Sequence, residues 1–430
     1  MGVKTKQGYD VRALSCVFFS LAILALFLIG CAEPAPTSNP FDKSTEPSDI
    51  PPDIPPDIPP DEPPNIPAEI PEHLQVFEQL MVDFMADNEI QAGLLGIMRH
   101  GTIVFEEGFG WLDATQQTPL PGDAMMRLAS VSKPITAAAI RQLIAEGSLH
   151  LEDYAFALEG EASGILDLTP FDELGDERLE DITIKHLLLH EGGWDRDSPG
   201  IHDLTYREIA ITNEVDEITA SPPGRINTLR YILGQPLQFN PGDKEAYSNI
   251  GYLVLGLIIE KVSEQDYMSY VFDTLFEPLG VDLTEIIAGR TFPADRDPRE
   301  PWYDYPYKVA NVFDPEGAKV FRPDGGWDHV ARIAQGGLVA ATSAVLEFLN
   351  VYQISGDDIG LLRTSSESTT WKRNHTGSLP GSSALARQRG DGVNFVVLFN
   401  KIPNSGTNYS SQIRAEIDSL LDSGSIVWPD

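Results

Sequence analysis

A long proline-rich segment limits which part of this chain of 430 residues can form a globular domain. Residues 31–72 contain 14 prolines and repeat Ile-Pro-Pro-Asp at 50–53, 54–57 and 58–61. Such a segment cannot bury a core and favours polyproline II, which at ~3.1 Å per residue would reach roughly 120 Å. We interpret it as a semi-rigid linker, with a docking site for a proline-recognising partner as the alternative. The globular domain is therefore expected in residues 73–430.

The segment before the linker has the pattern of an export signal. Residues 1–12 carry three basic side chains, and residues 13–29 are almost entirely apolar. The apolar run ends in Leu28-Ile29-Gly30-Cys31, which resembles the lipobox of bacterial lipoproteins. The resemblance implies a signal peptide over residues 1–30, lipid on the Cys31 sulfur, and a membrane-anchored domain on a periplasmic or cell-surface face. A retained N-terminal membrane anchor is the alternative.

Cysteine content and charge narrow the function of the globular part. The only cysteines are Cys16 and Cys31, so the domain has neither a disulfide nor a thiol nucleophile. The chain carries a formal charge of −35, of which −28 falls in residues 73–430, and such a surface disfavours nucleic acid. Since no histidine pair forms a His-Glu-x-x-His motif, neither a metal nor a cofactor is predicted.

A serine and a lysine three residues apart give the first sign of chemistry. The pattern from Ala129 onward predicts an amphipathic helix, with Ser130 at its start and Lys133 in its first turn. The spacing puts both side chains on one face, where a neutral lysine amine could take the serine's proton. An ordinary helix N-cap serine is the alternative.

The remaining pattern predicts an antiparallel sheet assembled from both ends of the domain. A helix over residues 73–88 precedes a hairpin, with strands at 93–99 and 102–109 joined by His100-Gly101. Residues 150–330 are expected to form a mainly helical insertion with variable loops at 155–180 and 292–330. The rest of the chain predicts two helices and three strands, namely helices at 343–351 and 410–421 and strands at 369–374, 382–388 and 393–399.

Two further motifs follow the serine. Tyr247 and Asn249 lie two residues apart before an apolar helix; a phenol can relay a proton and a carboxamide can bind an acyl group, although a turn with a helix cap is the simpler interpretation. Residues 374–378, Asn-His-Thr-Gly-Ser, are placed where the first C-terminal strand ends. The glycine there would permit close backbone approach, and a plain polar strand end is the alternative.

Together the three motifs resemble one family, the serine β-lactamase and penicillin-binding-protein superfamily. The branch is that of class C β-lactamases, D-alanyl-D-alanine carboxypeptidases and related esterases, whose pattern is Ser-x-x-Lys, Tyr-x-Asn and Lys/His-Thr-Gly. The resemblance implies an α/β fold (α+β): an antiparallel sheet flanked by helices plus an all-helical lobe, with the site in the cleft between them. It implies Ser130 as the acylated nucleophile, Lys133 as its proton acceptor and Tyr247 as a second proton shuttle.

The resemblance also assigns substrate-binding residues. It implies that Asn249 holds the substrate amide and that His375 assists the tyrosine and draws in a substrate carboxylate. The backbone amides of Ser130 and Ser378 would form the oxyanion hole, with Thr376 and Gly377 completing the third motif.

Two departures from the family pattern bear on the substrate. Histidine replaces lysine at position 375, and a neutral imidazole binds a carboxylate more weakly than an ammonium, which argues against β-lactam turnover. Residues 190–193 read His-Glu-Gly-Gly where many relatives have His-Thr-Ser-Gly, and we expect His190 to be structural. The sequence predicts a lipid-anchored serine hydrolase acting on small esters, D-amino-acid peptides or β-lactams; a catalytically silent binding module is the alternative.

Overall fold

The structure is a computed structural model and describes residues 72–158, 164–198, 203–364, 369–403 and 408–428. The predicted signal peptide, the lipidation site Cys31 and the linker up to residue 71 lie outside these residues. No described helix is both long enough and apolar enough to cross a membrane.

The described residues form ten α-helices and twelve strands. The helices are α1 Gln75–Asp87, α2 Ser132–Ala145, α3 Ile184–Leu188, α4 Glu208–Glu214, α5 Gly224–Leu233, α6 Asn249–Ser263, α7 Tyr267–Val271, α8 Ile333–Gly336, α9 Thr342–Val351 and α10 Tyr409–Asp422. The strands are β1 Ala92–Arg99, β2 Thr102–Gly110, β3 Met126–Arg127, β4 Tyr154–Phe156, β5 Gly164–Leu166, β6 Ile286–Ala288, β7 Lys308–Val309, β8 Val320–Phe321, β9 Leu338–Ala340, β10 Lys372–Leu379, β11 Ser382–Arg389 and β12 Val393–Phe399.

The main sheet joins both ends of the domain, as predicted. Its five strands run in the order β10-β11-β12-β1-β2, and every neighbouring pair is antiparallel. Because side chains alternate along a strand, β12 contributes to two cores: Val396 and Leu398 pack with α2, α6 and α9, whereas Phe395, Val397 and Phe399 pack with α1 and α10. The sheet therefore lies between two helical layers, which confirms the predicted fold class.

Helix α2 is the central element of the larger core. Its residues from Ser132 to Ile140 are all buried, and it packs against α6 and α8. A helix that is buried all round needs apolar or small residues on every face, which the alanines at 137–139 provide. Lys133 is the one fully buried charged residue in this first stretch of the helix.

The predicted end of the first C-terminal strand is wrong. Strand β10 continues beyond residue 374 to Leu379, and it pairs with β11 throughout, from Lys372 opposite Arg389 to Leu379 opposite Ser382. The chain turns only at Gly381, whose φ is +79°. Polar side chains and a glycine suggested a strand end, but cross-strand pairing extends an edge strand through them. The third motif therefore lies inside a strand.

The expected helical insertion is helical only in its middle. Helices α3 to α7 occupy residues 184–271, whereas residues 286–330 contain short strands and 3₁₀ turns. One of those strands, β6, pairs with β9, which in turn pairs with β3 just before the nucleophile. This part of the chain thus supports the site directly.

Candidate active site

Ser130 lies in a strained turn between β3 and α2. Residues Ala129–Val131 form a 3₁₀ turn, so α2 itself begins two residues after the serine. Ala129 has a φ of +47°, which is uncommon for a residue with a side chain and is typical of constrained functional sites. The turn is held because the Leu128 N–H donates to the Leu338 carbonyl at 2.9 Å.

Strand β10 passes unusually close to this turn. A Cβ atom on Gly377 would lie 2.2 Å from the Leu128 carbonyl oxygen and 3.0 Å from the Ser130 amide nitrogen. No side chain fits there, which explains the glycine in the third motif. The approach brings the backbone leading to Ser378 against the nucleophile's own amide, as an oxyanion hole requires. Thr376 and Ser378 are exposed on the edge strand.

Lys133 is fully buried beside the serine. Its Nζ lies 3.2 Å from Ser130 Oγ, 2.7 Å from Asn249 Oδ1 and 2.5 Å from the Gln335 carbonyl oxygen. Burial lowers the pKa of Lys133 well below its usual value, and the positive charges of Arg196 and Arg332 lower it further. The environment therefore favours the neutral amine that a base requires.

The hydrogen-bond pattern shows how a neutral amine would be oriented. The Asn249 and Gln335 oxygens can only accept, so they take the two N–H groups of the amine. A serine hydroxyl can also donate, so the remaining lone pair of a neutral amine would accept from the Ser130 hydroxyl, whose oxygen lies 3.2 Å from Nζ. The site thus allows the hydroxyl to pass its proton to Lys133.

Tyr247 approaches the serine from the loop before α6. Its Oη lies 2.7 Å from Ser130 Oγ, and burial raises the pKa of the phenol to about 12. The phenol is therefore protonated at neutral pH and donates to the serine. Lys133 Nζ also lies 4.9 Å from the centre of the Tyr247 ring. Serine, lysine and tyrosine form one hydrogen-bonded group, as the sequence motifs suggested.

His190 holds the tyrosine loop in place. Its ring packs against that of Tyr247 with centroids 4.5 Å apart, and its Nδ1 accepts the Ser248 N–H at 3.2 Å. Its carbonyl accepts the Ala246 N–H at 2.8 Å. Burial lowers the pKa of His190 to about 3, so the ring is neutral at neutral pH. These contacts fit the predicted structural role, although no sequence motif indicates that this histidine packs against the tyrosine.

Asn249 has a different environment from the one that the resemblance implied. Its Oδ1 accepts from Lys133, and its Nδ2 donates to Asp203 Oδ2 at 2.5 Å. Both ends of the amide are engaged, so Asn249 holds the lysine directly. Sequence analysis missed Asp203, which belongs to no motif and lies 46 residues away along the chain.

His375 borders the site from β10. Its Nδ1 lies 3.1 Å from the Ile354 carbonyl oxygen, and burial lowers its pKa to about 4, with the charge of Lys133 acting in the same direction. A neutral ring cannot form an ion pair with a substrate carboxylate. The structure thus places His375 where the motif predicted but without the charge needed to draw in an anion.

A cleft of about 230 Å³ opens beside the catalytic group. Its lining includes Tyr247 and His375 and three acidic residues, Glu191, Glu245 and Asp357. None of its described lining residues is lysine or arginine. Larger cavities of about 720 and 740 Å³ occur elsewhere, away from the serine. Within the described residues, no group of three or more His, Cys, Asp or Glu side chains is arranged to hold a metal ion.

Comparison with known proteins agrees with this geometry. The protein flp of Staphylococcus aureus (strain MW2) is 28% identical over 207 residues, which is 47% of this chain and 37% of that protein. The chain thus matches less than half the length of that curated relative. The octameric penicillin-binding protein homologue from Pyrococcus abyssi has a similar structure, with a TM-score of 0.57, 22% identity and coverage of 81% of this chain and 77% of that one.

A second solved structure shares the fold over a larger part of its own length. The D-amino acid amidase from Ochrobactrum anthropi SV3, complexed with D-phenylalanine, gives a TM-score of 0.57 at 18% identity and covers 82% of this chain and 99% of that one. The sequence model of the Beta-lactamase family matches residues 77–397, which include all three motifs. This chain therefore belongs to the β-lactamase family, whose members are typically serine hydrolases.

Proposed function

We propose that this protein is a serine hydrolase that acts on esters or amides through an acyl-enzyme at Ser130. The observation that carries the proposal is the position of the serine hydroxyl between the Tyr247 phenol, which donates to it at 2.7 Å, and the buried amine of Lys133 at 3.2 Å. A nucleophile with a base on one side and a proton donor on the other is the arrangement that acyl transfer needs.

The residues support a balanced sequence of proton transfers. Ser130 Oγ attacks the substrate carbonyl carbon and gives its proton to Lys133 Nζ, which becomes an ammonium. The backbone amides of Ser130 and Ser378 stabilise the negative charge on the carbonyl oxygen. When the bond to the leaving group breaks, the Tyr247 phenol supplies its proton, and the lysine ammonium restores the phenol. Water then attacks the acyl-enzyme by the same steps in reverse.

The charges around the cleft favour substrates without a carboxylate near the leaving group. Glu191, Glu245 and Asp357 line the cleft next to Tyr247, His375 is neutral, and Arg196 lies over the Tyr247 ring without lining the cleft. An anionic group there would be repelled, whereas the family's carboxypeptidases and β-lactamases take substrates that carry one. We therefore rank simple esters and amides, such as amino-acid amides, above C-terminal peptides and β-lactams. The high rank of amides among these substrates is also supported by the likeness in fold to a D-amino acid amidase.

We also propose that the enzyme is anchored to a membrane through lipid on Cys31 and faces the periplasm or the cell surface. The support is the sequence alone: the basic start, the apolar run and the lipobox-like Leu28-Ile29-Gly30-Cys31. Metabolic labelling with a fatty acid in a lipoprotein-processing bacterium tests this step. Incorporation that is lost in Cys31→Ser supports the anchor, and incorporation that persists in that variant contradicts it.

The proposed chemistry is tested by intact-mass measurement. The protein and its Ser130→Ala variant are exposed briefly to an activated short-chain ester, to an amino-acid amide and to benzylpenicillin, and released product is followed in the same samples. We expect a Ser130-dependent acyl adduct or turnover with the first two ligands and less with benzylpenicillin. Neither adduct nor turnover with any of the three would favour the catalytically silent binding module instead.

A further inference from the structure

The amide of Asn249 is the link between the catalytic lysine and a carboxylate. Its Oδ1 accepts from Lys133 at 2.7 Å, and its Nδ2 donates to Asp203 at 2.5 Å. A carboxylate can only accept, so Asp203 admits only the nitrogen end of the amide on its side. The oxygen end must then face Lys133. Asp203 therefore determines which end of the Asn249 amide faces Lys133.

Asp203 is itself held firmly. Its Oδ1 accepts both the N–H of Thr205, at 3.0 Å, and the hydroxyl of Thr205, at 2.7 Å, and so begins the 3₁₀ turn Leu204–Tyr206. The Thr205 carbonyl accepts from Arg332 at 2.6 Å, and Arg332 pairs with Glu208 at 3.0 Å. Both members of that pair are less than a tenth exposed. The carboxylate therefore projects from a turn that is tied to a buried ion pair.

Several groups on the surrounding elements favour or disfavour the charged form of Lys133. The cations Arg196 and Arg332 disfavour the ammonium, and the carboxylate of Asp203 favours it. The ring faces of Tyr247 and Tyr252 lie 4.9 and 5.7 Å from Nζ and also favour the charged form. The imidazoles of His190 and His375 complete the surroundings and are neutral at neutral pH, because burial lowers the pKa of each.

We infer that Asp203 is a positioning residue for the proposed acyl-transfer reaction: it orients Asn249 toward Lys133 and supplies the negative charge that balances the two neighbouring arginines. The inference rests on the proposed function, since it concerns the same lysine. It adds to the resemblance, which implies that Asn249 holds the substrate amide. In this chain the hydrogen-bonding capacity of that amide serves the lysine.

The Asp203→Asn variant removes the charge of the carboxylate. Asparagine has one acceptor oxygen, so it keeps the contact with Asn249 only by giving up that with Thr205, and the charge is lost in either orientation. Removing that charge lowers the pKa of Lys133, and the base is then neutral at lower pH. The acidic limb of the kcat/KM profile should move to lower pH by roughly 1 to 2 pH units, as expected for unit charges about 7 Å apart at an effective dielectric constant near 20. The rate at which a fluorophosphonate labels Ser130, followed by intact mass, should shift in the same way.

Two further variants keep the test decisive. Arg196→Gln removes a positive charge that acts on the lysine, so its acidic limb should move to higher pH; its side chain is 42% exposed, and the variant is expected to fold. Asp195→Asn is the matched control, because Asp195 lies in the same part of the chain but pairs with Lys244 at 3.0 Å instead of contacting Asn249. Its profile should coincide with that of the unmodified protein.

The outcomes are distinguishable from a failure of the proposed function. If Ser130→Ala retains activity and labelling, the proposed reaction is wrong. If Ser130→Ala is inactive but Asp203→Asn leaves the acidic limb unchanged or moves it to higher pH, the positioning role of Asp203 is overturned. Opposite shifts in the Asp203 and Arg196 variants support it.

Discussion

Replacing Gly377 by alanine should damage both the fold and the proposed catalytic site. The new methyl group would lie 2.2 Å from the Leu128 carbonyl oxygen and 2.9 Å from the Ala129 Cβ, and both neighbours are fixed parts of the nucleophile's turn. An ordinary contact needs more than 3.4 Å, so β10 and the turn must separate by about 1 Å. Overpacking of this kind costs about 1 to 3 kcal/mol of unfolding free energy. A 1 Å displacement of an oxyanion donor can lower kcat/KM about 100-fold.

The measurement pairs denaturant unfolding with steady-state kinetics on an activated ester. Gly234→Ala serves as the control, because the nearest atom to its added Cβ would lie 3.4 Å away and the residue is far from the serine along the chain. The control should change stability by less than about 1 kcal/mol and leave kcat/KM unaltered. If Gly377→Ala matches the control in both measurements, the close approach of β10 to the nucleophile is not a requirement of the site.

Three other predictions follow from the same geometry. Tyr247→Phe keeps the ring packing but removes the phenol that donates to the serine, so kcat/KM should fall 100- to 10,000-fold, and unaltered ester turnover would exclude the proton-donor role. His190 and His375 have folded pKa values of about 3 and about 4, below the unfolded value near 6.5, so the unfolded state takes up protons first as the pH falls. Stability should therefore decrease by at most about 2 kcal/mol per ring between pH 7 and pH 5, and denaturation midpoints that stay constant over this range would contradict the burial of the two rings. Glu208→Gln leaves Arg332 buried without its counter-charge and should cost about 3 to 5 kcal/mol of unfolding free energy, whereas a change below 1 kcal/mol would show that the pair is dispensable.

Local spacing was enough to predict the catalytic group, but not its surroundings. Ser130 and Lys133 share one helical face by the geometry of the turn, and this relation can be obtained from the sequence alone. The fold class followed from hydrophobic periodicity and from the hairpin at residues 93–109, both of which are local signals. The end of β10 could not be obtained in this way, since only pairing with β11 extends the strand through Gly377.

The contacts that tune the lysine come from distant parts of the chain. Asp203 reaches the site across 46 residues from Asn249, and the Gln335 carbonyl reaches Lys133 across 202 residues. A backbone carbonyl has no sequence signature at all, and one aspartate among the many acidic residues of this chain cannot be singled out from the sequence. The packing of His190 on Tyr247 is likewise a tertiary contact. Sequence therefore predicted which groups would react, and only the fold showed which contacts influence their protonation.

In the proposed reaction, the buried lysine must be stable in two charge states during one cycle, and the structure provides for both. Before attack, the neutral amine satisfies its two N–H groups with Asn249 and Gln335 and leaves its lone pair to Ser130. After attack, the ammonium has a third N–H, which it holds until it restores the Tyr247 phenol, while the nearby ring of Tyr252 favours the positive charge. Burial alone would make the lysine a base that is hard to protonate, and full solvation would leave it protonated and inactive. A serine and a lysine at this spacing become a catalytic pair only when α6 and the carbonyl of Gln335 supply these acceptors, so the chemistry depends on the packing of three helices and not on the motif alone.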